Sequence, residues 1–216
     1  MKKVLILSGP THEYFDPVRF IGNASSGKMG KALAEEAIFQ GLEVEFISGP
    51  VPKENLPSLG KITHVTGAEE MLAAAKAKFA EADIIIFAAA VADFQPLEKS
   101  DEKFLKDGLS AVALAKAEKN LSLQLKSTPD IAATLCANKR DDQIAIGFAL
   151  QTHDGEAKAK EKLTAKNLDG IVLNTPATLG AETGLFTWIS FQTLENWGSL
   201  TKSDCAKRIF SQINRR

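Results

Sequence analysis

The chain has 216 residues, of which 44% are hydrophobic and 25% charged, and its formal net charge at pH 7 is -1. This length is sufficient for one large domain with an extensive core, and the composition is typical of a globular protein. The near-zero charge excludes a general electrostatic attraction to nucleic acid or to an anionic membrane. No apolar run approaches the ~20 residues that a membrane-spanning helix needs. We therefore expect no nucleic-acid partner and no membrane partner.

The N-terminal sequence and the cysteine content predict a cytoplasmic protein. The first three residues lead into a short strand, without the apolar core or the small-residue cleavage site of a signal peptide. Cys136 and Cys205 lie in helix-like segments, so we expect buried free thiols and no disulfide. The three histidines are scattered, without the spacing of a zinc site.

Apolar strands alternate with helical periods along the chain, which predicts a doubly wound parallel sheet. The predicted strands are the apolar runs 4–7, 44–48, 62–65, 84–88, 143–148, 170–173 and 186–191. The predicted helices have apolar residues every three or four positions and cover 31–40, 68–82, 129–137, 156–166 and 202–213. The run 84–88 is the most continuous and is expected at the centre of the sheet, whereas 186–191 is expected at an edge.

Residues 94–127 interrupt this alternation. They are irregular and rich in lysine, and they contain two strand candidates, 111–115 and 121–125. We interpret them as a flap or hairpin inserted over the edge of the sheet. The prediction is one domain over residues 1–216 with an α/β fold, Rossmann-like and doubly wound, whose mostly parallel sheet carries a flap at about 94–127.

The polar block at residues 9–30 carries the strongest functional indication. It lies between the first predicted strand and the first predicted helix, where backbone N–H groups and the positive helix end bind phosphate. Gly22, Gly27 and Lys28 fit a P-loop, but the next position needs Ser or Thr to hold magnesium and carries Met29. A P-loop kinase is therefore disfavoured, while an ordinary helix cap by the two serines of the block stays open.

Polar residues follow other predicted strands, at the edge where doubly wound folds bind ligands. Asp93 follows the central strand and suits a ribose, a base edge, a metal or a helix cap. Lys103, in the flap, suits a phosphate as a point charge. The sequence Thr128-Pro129-Asp130-Ile131 opens a helix and by itself indicates a cap. Lys162 and Lys166 lie one helical turn apart, and taken alone they indicate a solvated lysine face.

The block from Gly9 to Gly30 resembles the signature of phosphopantothenate–cysteine ligase, also called phosphopantothenoylcysteine synthetase, of coenzyme A biosynthesis. That family carries Gly-Pro-Thr-x-Glu-x-x-Asp-Pro-Val-Arg-x-Ile-x-Asn-x-Ser-Ser-Gly-Lys-Met-Gly, in which Met29 is an expected residue. The similarity covers nearly the whole chain and continues, in order, through Ala89-Ala90-Val91-Ala92-Asp93-Phe94, Glu102-Lys103, Thr128-Pro129-Asp130-Ile131, Gly147-Phe148-Ala149, Lys162, Lys166-Asn167-Leu168-Asp169 and Asn174. Since the ligase region begins at Met1, we expect the stand-alone bacterial form.

The resemblance implies an enzyme that joins 4′-phosphopantothenate to L-cysteine. Bacterial members use CTP with Mg2+, and the carboxylate first attacks the nucleotide α-phosphate to give an acyl-cytidylate and pyrophosphate. The cysteine amine then displaces CMP and forms the amide. ATP, which eukaryotic-type enzymes favour, stays an alternative to CTP. The resemblance also implies a homodimer and, as a partner in the same biosynthesis, a separate phosphopantothenoylcysteine decarboxylase.

Two residues match catalytic positions of the family. Asn23 matches the asparagine that engages the acyl-nucleotide during its conversion with cysteine, and Lys103 matches the flap lysine needed to form that intermediate. The implied nucleotide-binding residues are Asp93, Thr128, Pro129, Asp130, Ile131, Phe148, Lys162 and Lys166. The residues expected at phosphate or substrate are Ser25, Ser26, Gly27, Lys28, Arg19 and Ala89. The sequence does not identify the metal ligands.

The chain departs from the family pattern in two places. The flap sequence Lys103-Phe104-Leu105-Lys106 lacks the middle lysine of the usual Lys-x-Lys-Lys, and Gln151 replaces a glutamate that commonly follows Gly-Phe-Ala-x. These departures keep open a nucleotide- or flavin-binding module of the same fold without ligase activity. A dinucleotide oxidoreductase is disfavoured, because no Gly-x-Gly-x-x-Gly follows a strand.

Overall fold

A mostly parallel sheet of eight strands runs through the computed structural model, which describes residues 1–104, 121–151 and 154–215. In chain order the strands are β1 (Lys3–Ser8), β2 (His12–Tyr14), β3 (Phe20–Gly22), β4 (Glu43–Ser48), β5 (Thr63–His64), β6 (Ile84–Phe87), β7 (Phe94–Pro96), β8 (Leu125–Ser127), β9 (Ile144–Leu150), β10 (Gly170–Asn174), β11 (Thr183–Ile189) and β12 (Leu194–Thr201). The α-helices are α1 (Lys28–Phe39), α2 (Ala68–Phe79), α3 (Ile131–Cys136), α4 (Gly155–Ala165) and α5 (Lys202–Ile213).

The strand order of the sheet is β12-β11-β10-β9-β6-β1-β4-β5. Every neighbouring pair from β10 to β5 is parallel, and β11 runs antiparallel to both β10 and β12. The chain moves outward from β1 to β4 and β5, then returns to β6 on the other side of β1, which is the switch point of a doubly wound sheet. The predicted fold class and the central position of β6 are confirmed.

Alternate residues of each strand face opposite layers of helices, as the twofold period of a strand requires. Val4 and Ile6 of β1 pack with α1 and α5, whereas Leu5 and Leu7 pack with α2 and α3. Ala145 of β9 lies beside Ile85 of β6 and packs with α4. The sheet therefore has a core on each face, and its strand ends are left for the site.

The prediction that residues 186–191 form an edge strand is wrong. Residues 186–189 belong to β11, which is internal, and the edge beside it is β12, which the sequence did not predict. Trp197 of β12 stacks on Trp188 of β11 with the ring centroids 5.8 Å apart, and this contact buries both side chains. The strand signal of β12 is weak because Gly198 interrupts it with a φ of +69°.

Two segments outside the eight-stranded sheet, the opening block and the flap, each contain a pair of strands. Within the opening block, β2 and β3 form an antiparallel pair in which His12 lies opposite Gly22. The two ends of the flap pair as β7 and β8, a pair that the sequence did not predict, and of the candidate strand at 121–125 only Leu125 lies in a strand. The candidate at 111–115 and Lys106 lie outside the described residues. None of the described helices is both long enough and apolar enough to cross a membrane.

Candidate active site

A cavity of about 610 Å³ lies at the carboxyl ends of β1, β6, β9 and β10. Doubly wound folds bind their ligands at this edge. The predicted site residues that line it are Asn23, Ser25, Ser26, Gly27, Lys28, Ala89, Asp93, Thr128, Pro129, Asp130, Ile131, Phe148, Lys162 and Lys166. Residues that are far apart in sequence therefore meet in one place. Arg19 and Lys103 are not among the lining residues.

The opening block reaches the cavity through the start of α1. The helix begins at Lys28, three residues earlier than predicted, and its N-cap is Gly27 with a φ of +77°. Glycine suits this left-handed conformation, and a Cβ at Gly27 would lie 2.8 Å from Val51 Cγ1. None of the described side chains caps the helix, so the cap by the two serines is wrong. The N–H groups that begin α1 are left for an anionic ligand.

Asn23 connects the opening block to the segment that follows β6. Its Nδ2 donates to the carbonyl of Val91 at 3.0 Å and to that of Ala90 at 3.4 Å. Thr11 Oγ1 accepts a second hydrogen bond from this segment, 3.0 Å from the backbone N of Ala92. These contacts hold the Asn23 amide at the end of the central strand.

Asp130 and Lys166 form an ion pair at the other side of the cavity. Asp130 caps α3 by accepting from the backbone N of Ala133 at 3.0 Å, and its Oδ2 lies 2.9 Å from Lys166 Nζ. Burial would raise the pKa of Asp130, but the hydrogen bonds from Lys166 and Ala133, with the charge of Lys162, hold it below its ordinary value. The predicted cap is confirmed. Lys162 and Lys166 line the cavity and are half-buried, so the solvated lysine face is wrong for them.

Asp93 is exposed within the cavity. Its backbone carbonyl accepts from the N–H of Thr128 at 3.0 Å, which joins the two ends of the flap. The strand β7 follows it directly, so Asp93 does not cap a helix. Its carboxylate therefore suits the ribose, base-edge or metal roles that the sequence left open.

Arg19 and Lys103 lie near the start of the flap. The Arg19 guanidinium pairs with the buried carboxylate of Asp16 and donates to the carbonyl of Phe104 at 3.1 Å. Arg19 thus ties the flap to the β2–β3 pair. Lys103 is exposed, and its catalytic role stays a prediction. Gln151 donates its backbone N–H to the Asn174 carbonyl at 3.1 Å and does not line the cavity.

Three further residues with polar side chains line the cavity without having been assigned a role: Asn174, Thr178 and Lys202. Lys202 is only 7% exposed, and its Nζ donates to the Thr178 carbonyl at 3.1 Å. The sequence places Lys202 at the start of an amphipathic helix, where a lysine is ordinarily exposed. Its burial arises from the segment between β10 and β11, which no local pattern reveals.

The two cysteines take no part in the site. Cys136 and Cys205 are free and buried, as predicted, and neither lines the cavity. Burial raises the pKa of Cys136 to about 11 and that of Cys205 to about 12. Both thiols therefore stay protonated at neutral pH and are unreactive packing groups.

Comparison with known proteins identifies relatives over the whole chain. A family model described as the DNA/pantothenate metabolism flavoprotein C-terminal domain matches residues 1–216. The chain is 42% identical over 190 residues to the coenzyme A biosynthesis bifunctional protein CoaBC of Bacillus subtilis (strain 168), covering 86% of this chain and 44% of that protein. It is 40% identical over 217 residues to a protein named cysteine/cysteine sulfinic acid decarboxylase from an unknown prokaryotic organism, covering 98% and 58%. The chain thus spans about half the length of these curated relatives.

Solved structures agree with this result. The crystal structure of the C-terminal domain of a CoaBC protein is 35% identical with a TM-score of 0.80, covering 98% of this chain and 93% of that one. The DNA/pantothenate metabolism flavoprotein from Streptococcus pneumoniae is 25% identical with a TM-score of 0.77, covering 100% and 99%. A Cab2 mutant in complex with phosphopantothenate-cysteine, 18% identical with a TM-score of 0.75 over 99% and 87%, shares the fold. The resemblance of the opening block to this family is confirmed by the similarity to the CoaBC C-terminal domain. The chain belongs to the family of the DNA/pantothenate metabolism flavoprotein C-terminal domain.

Proposed function

We propose that this protein is a phosphopantothenate–cysteine ligase that joins 4′-phosphopantothenate to L-cysteine through an acyl-cytidylate made from CTP. The observation that carries the proposal is that Asn23, Asp93 and the Asp130–Lys166 pair line the same cavity as the start of α1. Membership of the family supports it, since relatives in that family are named for coenzyme A biosynthesis.

The chemistry requires positioning and charge neutralisation. A carboxylate is a poor electrophile at neutral pH, so it must first receive a nucleotide leaving group. Two negatively charged substrates then have to be held against each other, which oriented binding and fixed positive groups achieve. Lys28, Lys162 and Lys166 line the cavity and supply such groups, and the uncapped start of α1 adds backbone N–H donors.

Asn23 is assigned to the second step, the attack of the cysteine amine on the acyl group. An oxyanion develops on the acyl carbon's oxygen in that step and needs a hydrogen-bond donor. The Asn23 amide lines the cavity and donates to the carbonyls of Ala90 and Val91, and one of these N–H groups would turn to the oxyanion in the proposed step.

The carboxylates of the cavity fit Mg2+ only together with a nucleotide. Within residues 1–104, 121–151 and 154–215, no group of three or more His, Cys, Asp or Glu side chains could hold a metal ion. Mg2+ commonly takes one or two carboxylates plus substrate phosphates. Asp93 is the residue that would share the ion with the triphosphate, where the ion neutralises phosphate charge.

The proposal includes a homodimer in the cytoplasm and a separate phosphopantothenoylcysteine decarboxylase that acts on the product. Arg19 and Lys103 do not line the cavity of the subunit to which they belong. Their positions support a homodimer in which the flap region of one subunit approaches the cavity of the other. Light scattering on purified protein should give twice the mass of the 23.2 kDa chain. A monomer that is fully active would contradict this part of the proposal.

The ligase assay mixes the protein with 4′-phosphopantothenate, L-cysteine, Mg2+ and either CTP or ATP, and follows pyrophosphate. We expect release with CTP. Release with ATP alone would correct the nucleotide, and no release with either would refute the ligase. In that case calorimetry with CTP and with a flavin tests the alternative, a binding module without ligase activity.

Two variants separate the two chemical steps. Asn23→Asp should form the acyl-nucleotide and release pyrophosphate without making the amide, whereas Lys103→Gln should release no pyrophosphate. Asn138→Asp makes the same chemical change at an exposed position that does not line the cavity, so it should leave turnover unchanged. Normal turnover by Asn23→Asp would remove the role assigned to it.

A further inference from the structure

A buried lysine lies at one end of the cavity, where α5 begins. The Lys202 ammonium donates to the carbonyls of Thr178 and Ala181, two residues of the segment between β10 and β11. Within the described ranges it forms no ion pair with a carboxylate, and burial lowers its pKa. Carbonyl partners satisfy its hydrogen bonds but do not cancel its charge. This end of the cavity therefore attracts an anion.

Lys28 reaches the same segment from α1. Its Nζ donates to the carbonyl of Gly180 at 3.2 Å and forms an ion pair with the carboxylate of Glu182. The Glu182 side chain is 78% exposed, so water competes for this pair and little holds the carboxylate in place. Two ammonium groups thus converge on residues 178–182 with one exposed carboxylate between them, which leaves one positive charge in excess.

Two buried polar atoms at this end have no partner. Among the residues that the structure describes, the buried side-chain polar atoms without a hydrogen bond are Asn174 Oδ1 and Thr178 Oγ1, and both residues line the cavity. Thr178 is only 4% exposed. Native proteins seldom leave such atoms unpaired, because the loss of hydration is not recovered. An acceptor oxygen of a ligand at this position would supply the partner that the Thr178 hydroxyl lacks.

We propose that Thr178 and Lys202 form, with Lys28, a phosphoryl-binding subsite in which the Glu182 carboxylate acts as counter-ion until the ligand arrives. When Glu182 leaves, the two ammonium groups carry the double positive charge that matches a phosphoryl dianion, and the Thr178 hydroxyl donates to one of its oxygens. The subsite rests on the proposed function for the source of its phosphoryl group, which is either the nucleotide or 4′-phosphopantothenate.

The hydroxyl of Thr178 can be removed without changing the shape of the side chain. Thr178→Val should weaken binding of the phosphorylated ligand by roughly ten- to hundredfold, since one hydrogen bond to a charged group is lost. It should leave the melting temperature unchanged or raised, because an unpaired buried hydroxyl disappears. Thr178→Ser, which keeps the hydroxyl, should bind as the wild type does. Calorimetry measures the affinities for CTP and for 4′-phosphopantothenate in separate titrations. The ligand whose affinity falls in Thr178→Val is the one whose phosphoryl group occupies the subsite.

The charges are tested by a matched pair of lysine variants on α5. Lys202→Met should weaken binding of the same ligand by about tenfold or more, since charge-assisted hydrogen bonds are stronger than neutral ones. Lys207→Met, which removes an exposed lysine of the same helix, should have no effect. Glu182→Gln should strengthen binding, because it removes the competing carboxylate. If Thr178→Val and Lys202→Met bind both ligands like the wild type, the cluster only clamps a loop and the subsite is refuted.

A failure of the proposed function is distinguishable from a failure of the subsite. If the wild type binds neither CTP nor 4′-phosphopantothenate, the ligase proposal fails, and inorganic pyrophosphate is titrated into the same variants. Pyrophosphate binding that falls in Thr178→Val and Lys202→Met would support the subsite on its own. Absence of pyrophosphate binding by the wild type in that case would refute the subsite as well.

Discussion

Gly30 of α1 packs directly against Ser8 of β1, and its substitution should damage the fold and the site together. A Cβ at Gly30 would lie 1.9 Å from Ser8 Oγ and 2.4 Å from Ser8 Cβ. Ser8 is only 1% exposed, so its side chain has no open space into which to rotate. Gly30→Ala therefore requires α1 to move away from the sheet.

The cost follows from the overlap. Forcing one extra methyl group into a packed core costs about 1–3 kcal/mol. We expect about 2–3 kcal/mol here, at the upper end of that range, since the overlap involves Ser8 Cβ, which moves only with the backbone. Because α1 carries Lys28 into the cavity, the same shift should weaken the binding of the proposed nucleotide substrate, CTP.

Urea denaturation followed by tryptophan fluorescence measures the loss, because Trp188 and Trp197 are stacked and buried. Gly60→Ala is the control, since a Cβ there has no atom within 4 Å and its φ is not positive. The double variant Ser8→Gly/Gly30→Ala removes both colliding atoms and leaves Ser8 Cα at 3.4 Å, so it should regain most of the loss. If Gly30→Ala is as stable as Gly60→Ala, or if Ser8→Gly does not rescue it, the close packing of α1 on β1 is not what requires glycine.

Two further predictions concern named side chains. Asp130→Ala should lose about 1–2 kcal/mol of unfolding free energy, because it removes the cap of α3 and a partly exposed ion pair with Lys166, whereas Asp130→Asn keeps the cap and should lose less than about 1 kcal/mol. The pKa of Asp130 is lowered in the folded state, so the difference in unfolding free energy between wild type and Asp130→Asn should be complete at pH 7. It should shrink as the pH falls through the unfolded pKa of about 3.9 and below. A difference in unfolding free energy that stays constant down to pH 2 would contradict the pairing. The buried thiols of Cys136 and Cys205 should react with a thiol reagent only after denaturant is added, and rapid labelling of the native protein at pH 7 would show that they are accessible.

Local periodicity was sufficient to predict most of the sheet and its helices. The strand at Ile84–Phe87 is a continuous apolar run because both of its faces are covered by helices, and such runs are the clearest strand signal in a sequence. The helix α5 was predicted with both its ends correct, since Cys205, Ile209 and Ile213 recur at helical spacing and are all buried. The cavity residues of the opening block were found because the block has a distinctive sequence.

The features that sequence reasoning missed depend on contacts between distant segments. The strand β12 is held by the stacking of Trp197 on Trp188. Because Gly198 interrupts it, its sequence lacks the alternation of apolar and polar residues that predicts a strand. The burial of Lys202 depends on the carbonyls of Thr178 and Ala181, more than twenty residues earlier in the chain. A lysine at the start of an amphipathic helix gives no local sign of such an environment.

The positive groups of the cavity come from both layers of the fold, and this arrangement suits the proposed reaction between two phosphorylated substrates. Lys28 and Lys202 begin α1 and α5, which pack on one face of the sheet, whereas Lys162 and Lys166 lie at the end of α4 on the opposite face. Two anionic substrates repel each other, and the repulsion grows in a site that excludes water. Positive groups at opposite sides of one cavity would neutralise the phosphates of the two proposed substrates separately, while the carboxylate oxygen attacks the α-phosphorus and pyrophosphate leaves. The carbonyls of Ala90 and Val91 hold the Asn23 amide in the cavity, and in the proposed second step one of its N–H groups would exchange its carbonyl partner for the oxyanion.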